Sequence, residues 1–188
     1  MKKQIKTPLQ QKTIKELISL LIFYFFVVSA SGYLWEVILF CIEEHKFVNR
    51  GFLYGPWLPI YGCGAVFFYL LFSKLKRRPA AAFLSAFLIG TGLELAIGWL
   101  LDCVWELRYW DYTDSILNFH GYICLLSSLG FGVAGMLWIC VLSGILEKFW
   151  FKQSVRLRRI INTILILVFV VDCIAALIFP NTGKGITY

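Results

Sequence analysis

Asn49-Arg50-Gly51-Phe52-Leu53-Tyr54-Gly55-Pro56-Trp57-Leu58-Pro59-Ile60-Tyr61-Gly62 stands at the mouth of an apolar run. One charge, three glycines, two prolines and several large aromatic side chains share this stretch. It does not read as ordinary membrane helix. Proline and glycine loosen the backbone, and loosened backbone at membrane depth must face protein or a water-filled cavity. The stretch is read as one wall of a site.

The surroundings fix the class. Of 188 residues, 60% are hydrophobic and 15% charged, and the mean hydropathy is +0.76. A soluble fold of this size has no interior large enough for that much apolar surface. The chain is therefore expected to be all-α, a polytopic membrane helix bundle.

Five apolar runs follow one another. A basic tail, 1–16, precedes the first run, Leu17 to Ile42. Ser29-Ala30-Ser31 resembles a signal cleavage site, but the run continues about ten residues past it, so a retained helix is expected. The second run, about Trp57 to Phe72, is the shortest and draws on the Gly/Pro stretch to span. The third is Ala80 to Leu101, the fourth Gly121 to Leu146 and the fifth Ile160 to Phe179. Each approaches the ~20 residues that cross a hydrocarbon core. A single membrane domain over 17–180, with a short outer tail 181–188, is the expected organisation.

The net charge of +7 is distributed as orientation rather than as a nucleic-acid footprint. Fourteen of the eighteen Lys and Arg lie in the tail, in 74–78 and in 148–159. By the positive-inside rule the N-terminus is inside and the C-terminus outside. The same basic helix ends favour anionic membrane lipids. No nucleic-acid partner is expected.

A weak internal repeat is legible. Gly32-x-x-x-Glu36 echoes Gly90-x-x-x-Glu94, and Asn49 with Gly51 echoes Asn118 with Gly121. Gly51, Tyr61 and Gly62 match Gly121, Phe131 and Gly132 at an offset of 70, while the glutamates are offset by 58. The second unit thus carries about twelve extra loop residues, around Trp110-Asp111-Tyr112. Two helix hairpins, about 17–73 and 80–146, would be parallel repeats, with the fifth helix, 160–179, outside them.

Three acids interrupt the apolar runs: Glu36, Glu94 and Asp172. Each lies six or seven residues from the expected outer helix end, about 10 Å deep at 1.5 Å per residue. Intramembrane carboxyls are costly and mark pathways or sites. Glu36 and Glu94 are read as binding residues, with Asn49, Arg50, Tyr54, Tyr61, Trp110, Asp111, Asn118 and His120 around them. Asp172 is read as an intramembrane ion or proton site. Trp and Tyr also favour the interface as amphipathic rings, which accounts for about half of these aromatics. Arg50 is placed to pair with a carboxylate such as Glu36 or to hold a phosphate. The expected pocket is outward-facing, between the repeats.

No catalytic set is present: no Gly-x-Ser-x-Gly, no His-Glu-x-x-His, no Ser/His/Asp arrangement. There is no P-loop, hence no ATP hydrolysis by this chain. Six cysteines show no metal spacing and read as small packing residues; Cys41 and Cys103 are compatible with two outer helix ends, and nothing in the sequence supports a bridge between them. No cofactor and no metal are expected.

At Glu36, the Asn49–Gly62 stretch, Glu94, Trp110-Asp111-Tyr112 and Asn118 with Gly121, the sequence resembles the ABC transporter permease family of the CmpB-like, type IV group. The resemblance runs from about residue 30 to 137. Where the family commonly carries Arg after Gly121, this chain has Tyr122. The resemblance implies a permease-like protein of the bacterial cell membrane. It implies no substrate. A transport component taking a small polar or cationic solute is the first expectation, with 74–78 and 147–159 available to a separate ATPase subunit. An outer-leaflet enzyme acting on lipid or wall-precursor head groups, and a non-catalytic accessory subunit in a homo- or hetero-oligomer, are the rival expectations.

Overall fold

The computed structural model describes residues 12–45, 49, 51–108 and 110–179, with Glu43 and Glu44 by backbone alone. Arg50 and the 181–188 tail lie outside the described residues. Among those described, the regular structure is entirely helical apart from one isolated bridge, Phe119 to Ile123.

Helix α1 is Ile14–Glu44. Thr13 starts it: its hydroxyl accepts from the Glu16 amide while the Glu16 carboxylate accepts from the Thr13 amide. This reciprocal cap supplies partners for two otherwise orphaned N–H groups. Helix α2 is Pro59–Phe72, followed by a 3-10 turn, Ser73–Leu75. Helix α3 is Pro79–Trp105. Proline opens both α2 and α3, where its missing N–H costs nothing and its fixed φ suits the first turn. Helix α4, Leu125–Leu137, continues through a π-helical turn, Trp138–Leu142, into α5, Ser143–Lys152. Helix α6 is Val155–Ile178, capped by Ser154, whose hydroxyl accepts from the Leu157 amide.

Four helical segments are long and apolar enough to cross a membrane: Ile14–Ile42, Pro79–Trp105, Leu125–Lys152 and Val155–Ile178. The expected second span is a shorter apolar helix, Pro59–Leu75. Pro56 and Pro59 keep the preceding residues out of helix, because the residue before a proline is pushed towards extended backbone. The expected basic loop at 147–159 is also corrected. It is mostly helix, and only Gln153 and Ser154 separate α5 from α6. Lys, Arg and Phe are tolerable helix formers, so charge ends the apolar run there without ending the helix.

The described residues divide into two compact units, those within 12–67 together with 145–179, and those within 68–144. In the first, Phe26, Leu53, Trp57 and Ala176 form a buried core joined by Phe25 and Phe169. Phe169 meets Phe25, Phe26 and Trp57 edge-on, at 5.5, 5.6 and 6.1 Å between centroids. The Gly/Pro stretch is thereby packed onto α1 and α6. Trp150 stacks on Phe23 at 4.2 Å and donates to Ser19 Oγ, and Asn162 Nδ2 donates to the Ser19 carbonyl. Lys12 pairs with Glu147 at 2.7 Å.

Close approach in each unit is set by glycine. In the first, Gly32 of α1 lies under the Tyr61 ring and Gly62 of α2 lies against Phe25 and Ser29. In the second, Gly90 of α3 lies under the Phe131 side chain and Gly132 of α4 against the Phe83 ring. A Cβ at any of these would collide with its neighbour. By contrast, Gly64 and Gly130 face open space.

These contacts predict opposite outcomes within one helix. Gly62→Val and Gly132→Val should each cost about 1–3 kcal/mol through overpacking. Gly64→Ala and Gly130→Ala should instead stabilise, by about 0.5–1 kcal/mol. Thermal unfolding of the purified protein in one detergent checks both signs.

Candidate functional site

Three carboxylates organise the polar groups inside the two units. In the first unit Asp172, on α6, is nine-tenths buried. Its Oδ1 accepts from the Tyr54 amide at 3.0 Å. Its Oδ2 accepts from the Gly55 amide at 2.9 Å and from Trp57 Nε1 at 2.7 Å. Tyr54 Oη donates to the Phe179 carbonyl at 2.7 Å, and Asn49 Nδ2 donates to the Tyr54 carbonyl at 3.3 Å. The Leu58 amide donates to the Ser29 carbonyl of α1 at 3.1 Å. Gly51 adopts φ +92°, a region closed to most side chains. The irregular stretch therefore finds its backbone partners on α1 and α6 rather than in water.

Glu36, also in this unit, is half-buried on α1 and accepts from Tyr61 Oη at 3.0 Å. The contact follows from Gly32 one turn earlier, over which the Tyr61 ring lies.

In the second unit Glu94, on α3, is nine-tenths buried. Its Oε1 accepts from Tyr112 Oη at 3.0 Å and its Oε2 from Ser127 Oγ at 2.9 Å. Ser127 is the third residue of α4, and it also closes the helix cap with Cys124. Burial, with the Glu94 carboxyl beside it, pushes the Tyr112 phenol far above its ordinary range, so it stays a hydrogen-bond donor. Among the described residues of this unit, the partners of Glu94 are neutral.

The loop from Glu106 to Cys124 holds Tyr112 in place by bonding to itself. The Tyr112 amide donates to the Gly121 carbonyl at 2.9 Å, where Gly121 has φ +73°. Asp111 accepts from both the amide and the hydroxyl of Thr113. Asn118 Nδ2 donates to the carbonyls of Thr113 and Ser115, and its Oδ1 accepts from the Gly121 amide. Trp110 Nε1 donates to the Tyr122 carbonyl at 2.8 Å. At the end of α3, Asp102 accepts from Arg108 Nε at 3.0 Å and from Tyr122 Oη at 2.7 Å. The Arg108 guanidinium also lies over the Tyr122 ring, 5.0 Å from its centroid. The hydrogen bond to Asp102 raises the Arg108 guanidinium and, likewise, the Tyr122 phenol. The bonds from Thr113 hold the Asp111 carboxyl below its ordinary range.

The expected site residues are thus distributed. Glu36 with Tyr61, and Asp172 with Tyr54 and Asn49, fall in the first unit. Glu94, Trp110, Asp111, Asn118 and His120 fall in the second. Trp110, Asp111 and Asn118 shape the loop, with their polar atoms turned on its own backbone. His120 is exposed, with its ring edge-on to Phe119 at 4.7 Å. Ser127, Asp102 and Arg108 were not expected. Ser127 reads in sequence as one more small residue in an apolar run. Its signal was positional: it lies one turn before Phe131, which the expected repeat pairs with Tyr61. All six cysteines are free thiols. Among the described residues no three His, Cys, Asp or Glu side chains gather as for a metal ion.

Removing the carboxylate in Asp172→Ala leaves three N–H donors without their acceptor. A loss of about 3–5 kcal/mol is expected, with Asp172→Asn, which keeps one carbonyl, intermediate. Chemical unfolding of the two variants against wild type measures this. The depressed Asp111 carboxyl predicts a pH effect. Its contribution is present above the ordinary carboxylate range and lost as pH falls through its lowered value, below about pH 4. Amide protection in 110–122, corrected for the intrinsic exchange rate at each pH, should therefore fall on acidification, and Asp111→Asn should remove that dependence.

Comparison with curated proteins found no match, and comparison with solved structures found none. A family model described as "Putative ABC-transporter type IV" matches residues 23–177, from early α1 almost to the end of α6. The matched region takes in Glu36, Glu94, Asp172 and the loops that hold them. With its apolar, membrane-capable helices, this chain is a multi-pass membrane protein and belongs to the CmpB family of putative type IV ABC transporters.

Proposed function

We propose that this chain is a permease-type transport component of the cell membrane that binds a small polar or cationic solute at intramembrane carboxylates, with Glu94 as the principal acceptor. The observation that carries the reading is the setting of Glu94. It lies inside the membrane-capable span Pro79–Trp105, nine-tenths buried, and its partners among the described residues of its unit are two neutral hydroxyls. A charged side chain at the centre of a bilayer costs about 2.5–3.5 kcal/mol on insertion scales. The cation that would offset that cost is then the ligand. Carboxylate and hydroxyl oxygens suit an alkali cation or an organic ammonium group rather than a soft metal.

Glu36 with Tyr61 is the corresponding group of the first unit under a duplication that the glycine contacts support. Gly32 under Tyr61 and Gly90 under Phe131 are the same contact at offsets of 58 and 70. Gly62 against Phe25 and Gly132 against Phe83 repeat it one residue on, with the same two offsets. The left-handed glycines Gly51 and Gly121 share the second offset. The Lys and Arg distribution supports an inside N-terminus, with the short helix α2 completing the alternation. On that reading the basic residues at 74–78 and around the α5–α6 turn face the cytoplasm, where a separate ATPase subunit would dock.

Purified protein titrated with Na+, K+, choline and ethanolamine tests the proposal. Saturable binding of at least one probe, weakened about tenfold or more by Glu94→Gln, is expected. Binding of none of the four, or binding unchanged in both Glu94→Gln and Glu36→Gln, overturns it.

A further inference from the structure

The Glu94 carboxyl has two hydroxyl partners, and they are not equivalent. Tyr112 Oη touches Oε1, and its phenol is held as a donor whatever the carboxyl does. Ser127 Oγ lies 2.9 Å from Oε2 and, on its other side, 3.0 Å from the Cys124 carbonyl. The Cys124 amide lies 3.3 Å from the same Oγ as a donor. One hydroxyl proton thus has two acceptors within reach. A serine hydroxyl offers one donor and two lone pairs, and its proton rotates to suit.

Both protonation states of Glu94 close this network. With the carboxylate ionised, Ser127 donates to Oε2 and accepts from the Cys124 amide. With Oε2 protonated, Glu94 donates to Ser127 Oγ, which still accepts from the Cys124 amide and turns its own proton to the Cys124 carbonyl. That state uses the donor and both lone pairs of the hydroxyl. The Cys124 carbonyl also takes the Ser128 amide at 3.1 Å and Ser128 Oγ at 2.8 Å, so the rotated proton shares a crowded acceptor.

We infer that Glu94 is a reversible proton-binding site and that Ser127 is its positioning residue, exchanging the roles of donor and acceptor as the proton arrives and leaves. One proton is taken from the aqueous medium onto Oε2, one O–H bond forms, and no other covalent bond changes. The titratable group that faces Glu94 is Tyr112 from the loop, and Cys124, the cap of α4, interacts with Tyr112 and Ser127. No charged side chain among the described residues of the unit faces Glu94. The inference deepens the proposed function, since a solute cation and a proton would compete for one carboxyl, and it rests on that reading only for its role in transport.

The test needs no solute, so its outcome is separate from that of solute binding. Infrared difference spectra of the purified protein are recorded between about pH 5 and pH 9, bracketing neutrality. A protonated-carboxyl C=O band should grow on acidification and be absent from Glu94→Gln, which keeps the shape and an N–H donor towards Ser127. Ser127→Ala should move the band to higher frequency and displace its titration midpoint, and Ser127→Thr, which restores the hydroxyl, should bring both back. Ser128→Ala, which frees a lone pair on the Cys124 carbonyl, should displace the midpoint with Glu94 and Ser127 intact. If Glu94→Gln fails to fold, isotope labelling of glutamate carboxyls in the wild type assigns the band. No titrating glutamate band in this range, or a band and midpoint indifferent to Ser127→Ala, overturns the inference.

Discussion

Every N–H and C=O that leaves helical geometry inside an apolar chain must find a partner in the protein. The stretch before α2 meets that demand through Asp172. One carboxylate takes two successive backbone amides and an indole N–H, so that a segment of three glycines and two prolines acquires a fixed shape. Phe169, about one helical turn before Asp172, packs on the Trp57 ring whose nitrogen Asp172 holds. Helix α6 thus grips the stretch by an aromatic face and a charged end together. Loss of either would loosen the other, because the indole cannot keep both contacts from a different position.

The second unit meets the same demand without a third helix. Its loop is longer and folds on itself: Asp111, Asn118 and the positive-φ turn at Gly121 use their polar atoms on neighbouring backbone. What this self-sufficiency achieves is the position of Tyr112. A phenol carried on an unsupported loop would lose rotamer and backbone freedom in reaching a buried carboxyl. Here the loop is already ordered, and Tyr112 reaches Glu94 as a preset donor.

The fold class, the helix order and the interrupted start of α2 were legible in sequence because each follows from local composition. Proline and glycine at 51–62 stop a helix wherever they stand, and long apolar runs have few alternatives to helix. The three acids were legible for the same reason, as contradictions of their surroundings. What was not legible depends on how helices face each other. Lys148 to Arg159 read as a loop because charge ended the apolar run, yet α5 and α6 extend through it. Asn118 and Asp111 read as binding residues because they are polar and stand in the outer loop of the second expected repeat. Their partners include backbone groups two to five residues away, the ordinary fate of Asn and Asp in turns. Ser127 was invisible for the converse reason: its neighbour Glu94 lies thirty-three residues away in the chain.

Under the proposed duplication, facing geometry also explains why the two hairpins hold their glutamates differently. Gly32 sets Tyr61 against α1, and Glu36 lies one turn further along α1, within reach of the Tyr61 hydroxyl. Gly90 sets Phe131 against α3 in the same way, but phenylalanine has no hydroxyl to offer. Glu94 is served instead by the residue one turn earlier on α4, Ser127. The residue at the matching place in the first unit is Trp57, and its nitrogen is committed to Asp172. A tryptophan nitrogen is donor-only, whereas a serine hydroxyl both gives and accepts. The donors to Asp172, two backbone amides and an indole, are therefore one-way, whereas the Glu94 network includes a hydroxyl, Ser127, that can both give and accept. On the proposed duplication, the difference between the hairpins comes down to the side chains at two positions that it pairs, Trp57 against Ser127 and Tyr61 against Phe131, the latter two each over a glycine that lets the helices approach.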